Sequence, residues 1–168
     1  MANTHLLRPS SPFFVYSTIF AGLLLNIFPW GNHFWVPDWL LLVVVFWTIN
    51  EPRKVSIWLA FILGILMDVH SSSTLGVHAF AYSLVFYITV AWHRRILDLT
   101  TPTQMFHLLP ILIIPNSLDF LMAWLLKGVS PWAAIWILAP GVINALLWPF
   151  AKWTLSTPHR RQNQSLPL

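Results

Sequence analysis

The sequence predicts an all-α integral membrane protein of six transmembrane helices with both termini in the cytoplasm, and three observations lead there. Hydrophobic residues make up 57 % of the 168 and charged residues 8 %, with a mean hydropathy of +0.69, far from the balance of a water-soluble domain. The basic residues alternate by segment. Arg8, Arg53 with Lys54, Arg94 with Arg95, and Lys152 with Arg160 and Arg161 fall on one side if the chain crosses at each apolar stretch between them, which leaves Lys127 on the other. Basic segments mark the cytoplasm. Third, the tryptophans cluster near the ends of those stretches, where an indole keeps its N–H wet and its body in lipid.

A hydrocarbon core needs about 20 helical residues, fewer where the bilayer thins. The first span is read over Pro12 to Trp30. Its short leader with Arg8 resembles the start of a signal peptide, but no small-residue cleavage site follows Trp30, so it is taken as a retained helix. The second and third spans, Pro37 to Asn50 and Val55 to Val69, reach only about 21 to 23 Å at a rise of about 1.5 Å per residue. They must thin the bilayer, extend through their flanks or be sheltered by neighbours. Leu75 to Trp92, Gln104 to Leu126 and Pro131 to Thr154 complete the set. Trp30, Trp35, Trp39, Trp124, Trp132 and Trp136 are expected in an outer belt and Trp47, Trp58, Trp92, Trp148 and Trp153 in an inner one.

Connections are short and carry Pro, Gly or Ser, at Gly31, Pro37, Pro52, Ser71 to Ser73, Pro102, Gly128 and Pro131, the residues that favour turns. Residues 1–155 therefore form a single transmembrane domain, and 156–168, polar and Pro-bearing, a short disordered cytoplasmic tail. Without cysteine there is no disulfide, thiolate metal site or thiol nucleophile. The net charge of +4 sits in clusters beside spans, which suits anionic lipid headgroups rather than nucleic acid.

Charge within a bilayer is costly, on the order of 2.5 to 3.5 kcal/mol for Asp at a helix centre. Asp119, in the fifth span, and Asp68, closing the third, therefore stand out. Asn26, His78 and Asn116 fall in the same outer half, Asn116 one turn from Asp119 on one helix face. Two readings follow. Asn26, Asp68, His78, Asn116 and Asp119 line an outward-opening cavity, or the polar groups simply hold neighbouring helices together, as Asn144 in the sixth span also would. Pro110 and Pro115 in the fifth span and Pro140, Gly141 and Pro149 in the sixth predict irregular helices there. Gly22, Ala60, Gly64, Ala79, Ala81 and Ala123 are small residues at which helices can approach closely.

Catalytic patterns are absent from the sequence: no H-E-x-x-H, no Gly-rich phosphate loop and no G-x-S-x-G elbow. The seven histidines are widely separated, and neither a metal nor another cofactor is expected.

Several runs resemble the MreD family of bacterial rod shape-determining membrane proteins. They are Leu24-Leu25-Asn26-Ile27-Phe28-Pro29-Trp30, Pro37-Asp38-Trp39-Leu40-Leu41 continuing to Phe46-Trp47, Gly64-Ile65-Leu66-Met67-Asp68, Ser73-Thr74-Leu75-Gly76-Val77-His78-Ala79, and Asn144-Ala145-Leu146-Leu147-Trp148-Pro149. Their order and spacing carry the likeness from about Leu23 to Phe150. The resemblance implies structural roles for Pro29, Trp30, Pro37, Trp39, Gly64, Asp68, Leu75, Gly76, Asn144, Trp148 and Pro149. It also implies a fold similar to the substrate-binding subunits of energy-coupling-factor transporters.

The function it implies is that of a non-enzymatic inner-membrane scaffold in lateral peptidoglycan synthesis. The expected partners are MreC, bound directly, with MreB and RodA and its transpeptidase in the same complex. Membrane lipids, and a second copy of the chain, are further expected contacts. Arg53, Lys54, Arg94 and Arg95 are expected to touch lipid or cytoplasmic partners. The alternative is a small-molecule or lipid-binding subunit with an outward-facing cavity, and a lipid-modifying enzyme working near the outer leaflet is a third possibility.

Overall fold

Every one of the six predicted positions is helical. The computed structural model describes residues 11–29, 36–71 and 74–162, with the side chains of 133, 134 and 157–162 excepted. The readings placed on Arg8, Trp30, Gly31, Trp35, Ser72, Ser73 and 163–168, and on the side chains of Arg160 and Arg161, lie outside what is described. Helices α1 (Pro12–Ile27), α2 (Trp39–Asn50), α3 (Ile57–Ser71), α4 (Val77–Leu97) and α5 (Thr101–Lys127) precede a single 3-10 turn at Pro131–Ala133 and then α6 (Ala134–Gln162). No strand occurs among the described residues.

Local chemistry sets the boundaries. The Ser11 hydroxyl accepts from the Phe14 N–H at 3.3 Å, and Pro12 opens α1, where its missing N–H costs nothing. Gly128, at φ 61°, ends α5 and donates its N–H to the Trp124 carbonyl, the left-handed stop that favours glycine. Arg94 and Arg95 occupy the last turn of α4, where positive charge suits the carbonyl end of the helix. That helix runs on to Leu97, past the predicted end at Trp92. Likewise α6 continues to Gln162, into the segment expected to be a disordered tail. Both α5 and α6 remain continuous through their prolines.

Helix α2 sits at the centre, packed against α1, α4 and α6. Its run from Leu40 to Ile49 is apolar on every side and almost wholly buried, as a helix enclosed by others must be. Of the three expectations its length raised, the packing matches shelter: α1, α4 and α6 around it are all longer. Around it α3 packs on α4, α4 on α5 and α5 on α6.

Three glycines let backbones meet. A Cβ on Gly64 would lie 2.4 Å from Ala79 Cα, one on Gly22 3.3 Å from Leu40 Cα, and one on Gly141 2.9 Å from Ile113 Cα. The first and third are impossible contacts, so α3 crosses α4 and α5 crosses α6 at points that only glycine permits.

Two tryptophans depart from the predicted inner belt. Trp47 and Trp148 are buried in the core, and their indole N–H groups are satisfied inside the protein, by Thr18 Oγ1 at 2.8 Å and Gln104 Oε1 at 3.2 Å. An indole with an internal acceptor has no need of the headgroup region. Trp58, Trp92 and Trp153 are exposed, as are Trp124, Trp132 and Trp136 at the other end, while Trp39 is half-buried.

The outside of the bundle is apolar. Phe13, Phe20, Phe61, Phe80, Phe106 and Leu146 are among many large exposed hydrophobic side chains spread over five of the six helices. Monomeric soluble proteins rarely leave large apolar patches exposed. Two helices, α5 and the Ile135–Ser156 part of α6, are long and apolar enough to cross a bilayer by length and composition.

Candidate functional site

At the end of the bundle where α1 meets α2, polar side chains from five helices join in one network. Asp38 caps α2 by accepting from the Leu41 N–H at 2.8 Å, with the favourable pairing of carboxylate and helix N-terminus. Asn26, the penultimate residue of α1, donates to Asp38 Oδ1 at 2.7 Å and accepts through Oδ1 from the Trp39 N–H at 2.9 Å. One amide thus fastens α1 to the start of α2. From α4 the Tyr82 hydroxyl donates to Asp38 Oδ2.

Asp68 does the same for α4. It is almost fully buried near the end of α3, and it accepts from the N–H groups of Gly76 at 2.8 Å, His78 at 2.9 Å and Ala79 at 3.3 Å. These are donors that a helix start cannot satisfy internally. Gly76 stands just before α4 at φ 100°, a left-handed conformation that frees its N–H to turn back toward Asp68. His78 Nδ1 lies 3.0 Å from Asp68 Oδ1 and its Nε2 3.5 Å from Asp119 Oδ2 on α5. The imidazole therefore bridges α3 and α5 from its place on α4. The two halves of the network meet where Asn26 contacts the Met67 sulfur at 3.8 Å and where the His78 and Tyr82 rings pack edge to face.

His78 and Asp119 also line an open groove of about 370 Å³, together with Ser71, Thr74, Met122 and Lys127. Asp68 lies behind His78, buried. Asn26 and Asn116 are not among the groove's lining residues. The Asn116 side chain faces the α5–α6 crossing, where a Cβ on Gly141 would come within 3.0 Å of its Oδ1. Asn144 is fully buried in α6, and neither of its side-chain polar atoms has a hydrogen-bond partner among the described residues.

Of the family-motif residues, Gly64 and Trp148 pack as described above, Pro37 and Trp39 lead into α2, half-buried, and Pro29, Leu75 and Pro149 are exposed. Arg53, Arg94 and Arg95 are exposed at the other end of the bundle, and Lys54 lies 3.6 Å from Glu51 in the α2–α3 turn.

Asp38 and Tyr82 were missed from sequence, though each left a trace. Asp38 immediately precedes a long apolar helix, the usual place of a capping carboxylate. Tyr82 stands four residues after His78 and so shares its helix face.

Chemically this arrangement is a clamp. Asp68 already receives three backbone donors and the His78 ring, so its lone pairs are committed to holding α4 rather than to taking a proton from a substrate. An imidazolium at position 78 donates to both flanking carboxylates; a neutral ring donates to one.

Comparisons with known proteins identify the family of the chain. No solved structure matches the chain. A relative from Haemophilus influenzae described as rod shape-determining protein MreD is 32 % identical over 141 residues, covering 82 % of this chain and 85 % of the relative. Residues 7–155 match the family model for rod shape-determining protein MreD, and the chain belongs to that family, which has a structural role in rod shape determination.

Proposed function

We propose that this protein is a non-enzymatic scaffold of the cell-elongation machinery in the bacterial inner membrane. It crosses six times with both termini in the cytoplasm and binds MreC directly, with MreB, RodA and its transpeptidase in the same assembly. The observation that carries the reading is the closed state of the polar network. Asp38 and Asp68 are committed to helix starts of neighbouring elements, which suits a rigid platform and not an acid–base centre. The groove beside His78 and Asp119 is where a single-pass partner's juxtamembrane segment would dock. The exposed Arg53, Arg94 and Arg95 suit contacts with anionic lipid or cytoplasmic partners.

The test is co-purification with MreC in mild detergent, paired with depletion in a rod-shaped host. The reading expects a stable complex and rounded cells. Cells that keep their rod shape and diameter on depletion would contradict it.

The groove also supports a second reading, a small-molecule or lipid-binding subunit, the alternative that the sequence resemblance brought with the fold it implies. A ligand bound only by the folded state raises apparent stability. A specific vitamin or lipid-linked precursor that raises the Tm of the purified protein favours this reading; a flat response across such a panel counts against it.

A further inference from the structure

The opposite end of the bundle holds a second cavity, of about 430 Å³, between the end of α2, the end of α4, the start of α5 and the second half of α6. Its floor is built around Gln104, which is 2 % exposed. The Gln104 Nε2 donates to the carbonyls of Ile96 at 2.8 Å and Leu99 at 3.2 Å, which fixes the amide and turns its Oε1 toward α6. There it accepts from the Trp148 indole at 3.2 Å and from Lys152 Nζ at 2.9 Å. Lys152 is thereby held at a set place in the wall, with Thr101 Oγ1 at 3.3 Å. The described residues lining the cavity offer an ammonium, hydroxyls from Thr101 and Ser156 and the Asn50 amide, and no carboxylate. Leu97 and Trp153, which also line it, are exposed on the bundle surface.

This combination, a positioned cation with hydroxyl donors beside an apolar and aromatic rim, is suited to a phosphate group carried by an acyl chain. Arg94 and Arg95, exposed at the end of α4, add positive potential at the same end of the bundle. We infer that the Lys152 cavity binds the phosphate of an anionic phospholipid of the inner leaflet, with the headgroup on Lys152 and Thr101 and an acyl chain lying along Trp153 and Leu97. The inference rests on the reading that this end of the bundle lies at the inner membrane face, and it is independent of whether MreC binds.

The experiment measures thermal unfolding of the full chain in a neutral detergent, with short-chain phosphatidylglycerol, short-chain phosphatidylethanolamine and inorganic phosphate as separate titrants. Phosphatidylglycerol is expected to raise the Tm of the wild-type protein. The concentration for half the effect should rise roughly ten- to a hundredfold in Lys152→Gln, the loss of one charge-assisted hydrogen-bonded contact, and stay close to wild type in Lys152→Arg. If Lys152→Gln does not fold, Thr101→Val serves, with a smaller rise expected. An equal response to phosphatidylethanolamine, or an unchanged midpoint in Lys152→Gln or its substitute Thr101→Val, overturns the site. Inorganic phosphate acting at the same concentration as the lipid overturns the lipid as its source. MreC co-purification from the same preparations reports separately on the scaffold.

Discussion

Asp68 on α3 and His78 on α4 are joined twice, since one carboxylate oxygen of Asp68 accepts from the His78 backbone N–H at 2.9 Å and lies 3.0 Å from its Nδ1. The other oxygen takes the N–H groups of Gly76 and Ala79. The start of α4 is therefore capped by a residue from the preceding helix, and α3 and α4 are held together where Gly64 already brings their backbones into contact. Close approach requires the small residue; the carboxylate fixes the register.

Asp68→Ala is expected to cost about 2 to 4 kcal/mol, because it strands several buried donors at once. Asp68→Asn keeps an acceptor and should cost about half as much. Thermal unfolding in mild detergent measures both, and the ranking Ala below Asn below wild type is the prediction. Complementation of a depleted strain should follow the same order.

Gly64→Ala should destabilise more than Gly22→Ala. The added methyl at 64 meets backbone, which has to move, whereas at 22 it meets its nearest neighbour at 3.3 Å. Overpacking of the first kind costs on the order of 1 to 3 kcal/mol. Unfolding curves for the two variants, measured side by side, check the difference.

Gly76→Ala tests backbone conformation alone. A Cβ there has no atom within 4 Å, yet φ is 100°, so the only cost is left-handed strain of roughly 1 to 2 kcal/mol. A loss of that size without a change in MreC binding is expected, read by thermal unfolding and pull-down on one preparation.

Asn144→Leu and Asn26→Leu should move in opposite directions. The buried Asn144 amide bonds to nothing among the described residues, and replacing such a group by an apolar one of similar size is neutral or stabilising. Asn26 secures the start of α2, and its loss should cost about 1 to 3 kcal/mol. Denaturation midpoints for the pair decide the matter.

Much of the helical layout was legible because it follows from hydropathy and turn residues, which act locally. The second span looked short from its sequence, and it proves to be a helix enclosed by α1, α4 and α6. The tertiary partners of polar groups were harder to read. His78, Asp68 and Asp119 come together because α3, α4 and α5 pack side by side. Asn116 turned instead to the Gly141 crossing, which nothing in its spacing from Asp119 reveals. Trp47 and Trp148 were misplaced for a related reason. Position near a span end suggests an interfacial indole, but Thr18 and Gln104, distant in sequence, supply the acceptors that let them sit inside.

The account turns on orientation, with the His78–Asp119 groove facing the periplasm and the Lys152 cavity facing the cytoplasm. The absence of native cysteine makes a direct measurement possible: single-cysteine variants Ser130→Cys, in the α5–α6 connection, and Thr100→Cys, in the α4–α5 connection, exposed to a membrane-impermeant maleimide in cells with a permeabilised outer membrane. The account predicts that Ser130→Cys is labelled in intact cells and Thr100→Cys only after lysis. Labelling of Thr100→Cys from outside, with Ser130→Cys protected, would contradict it.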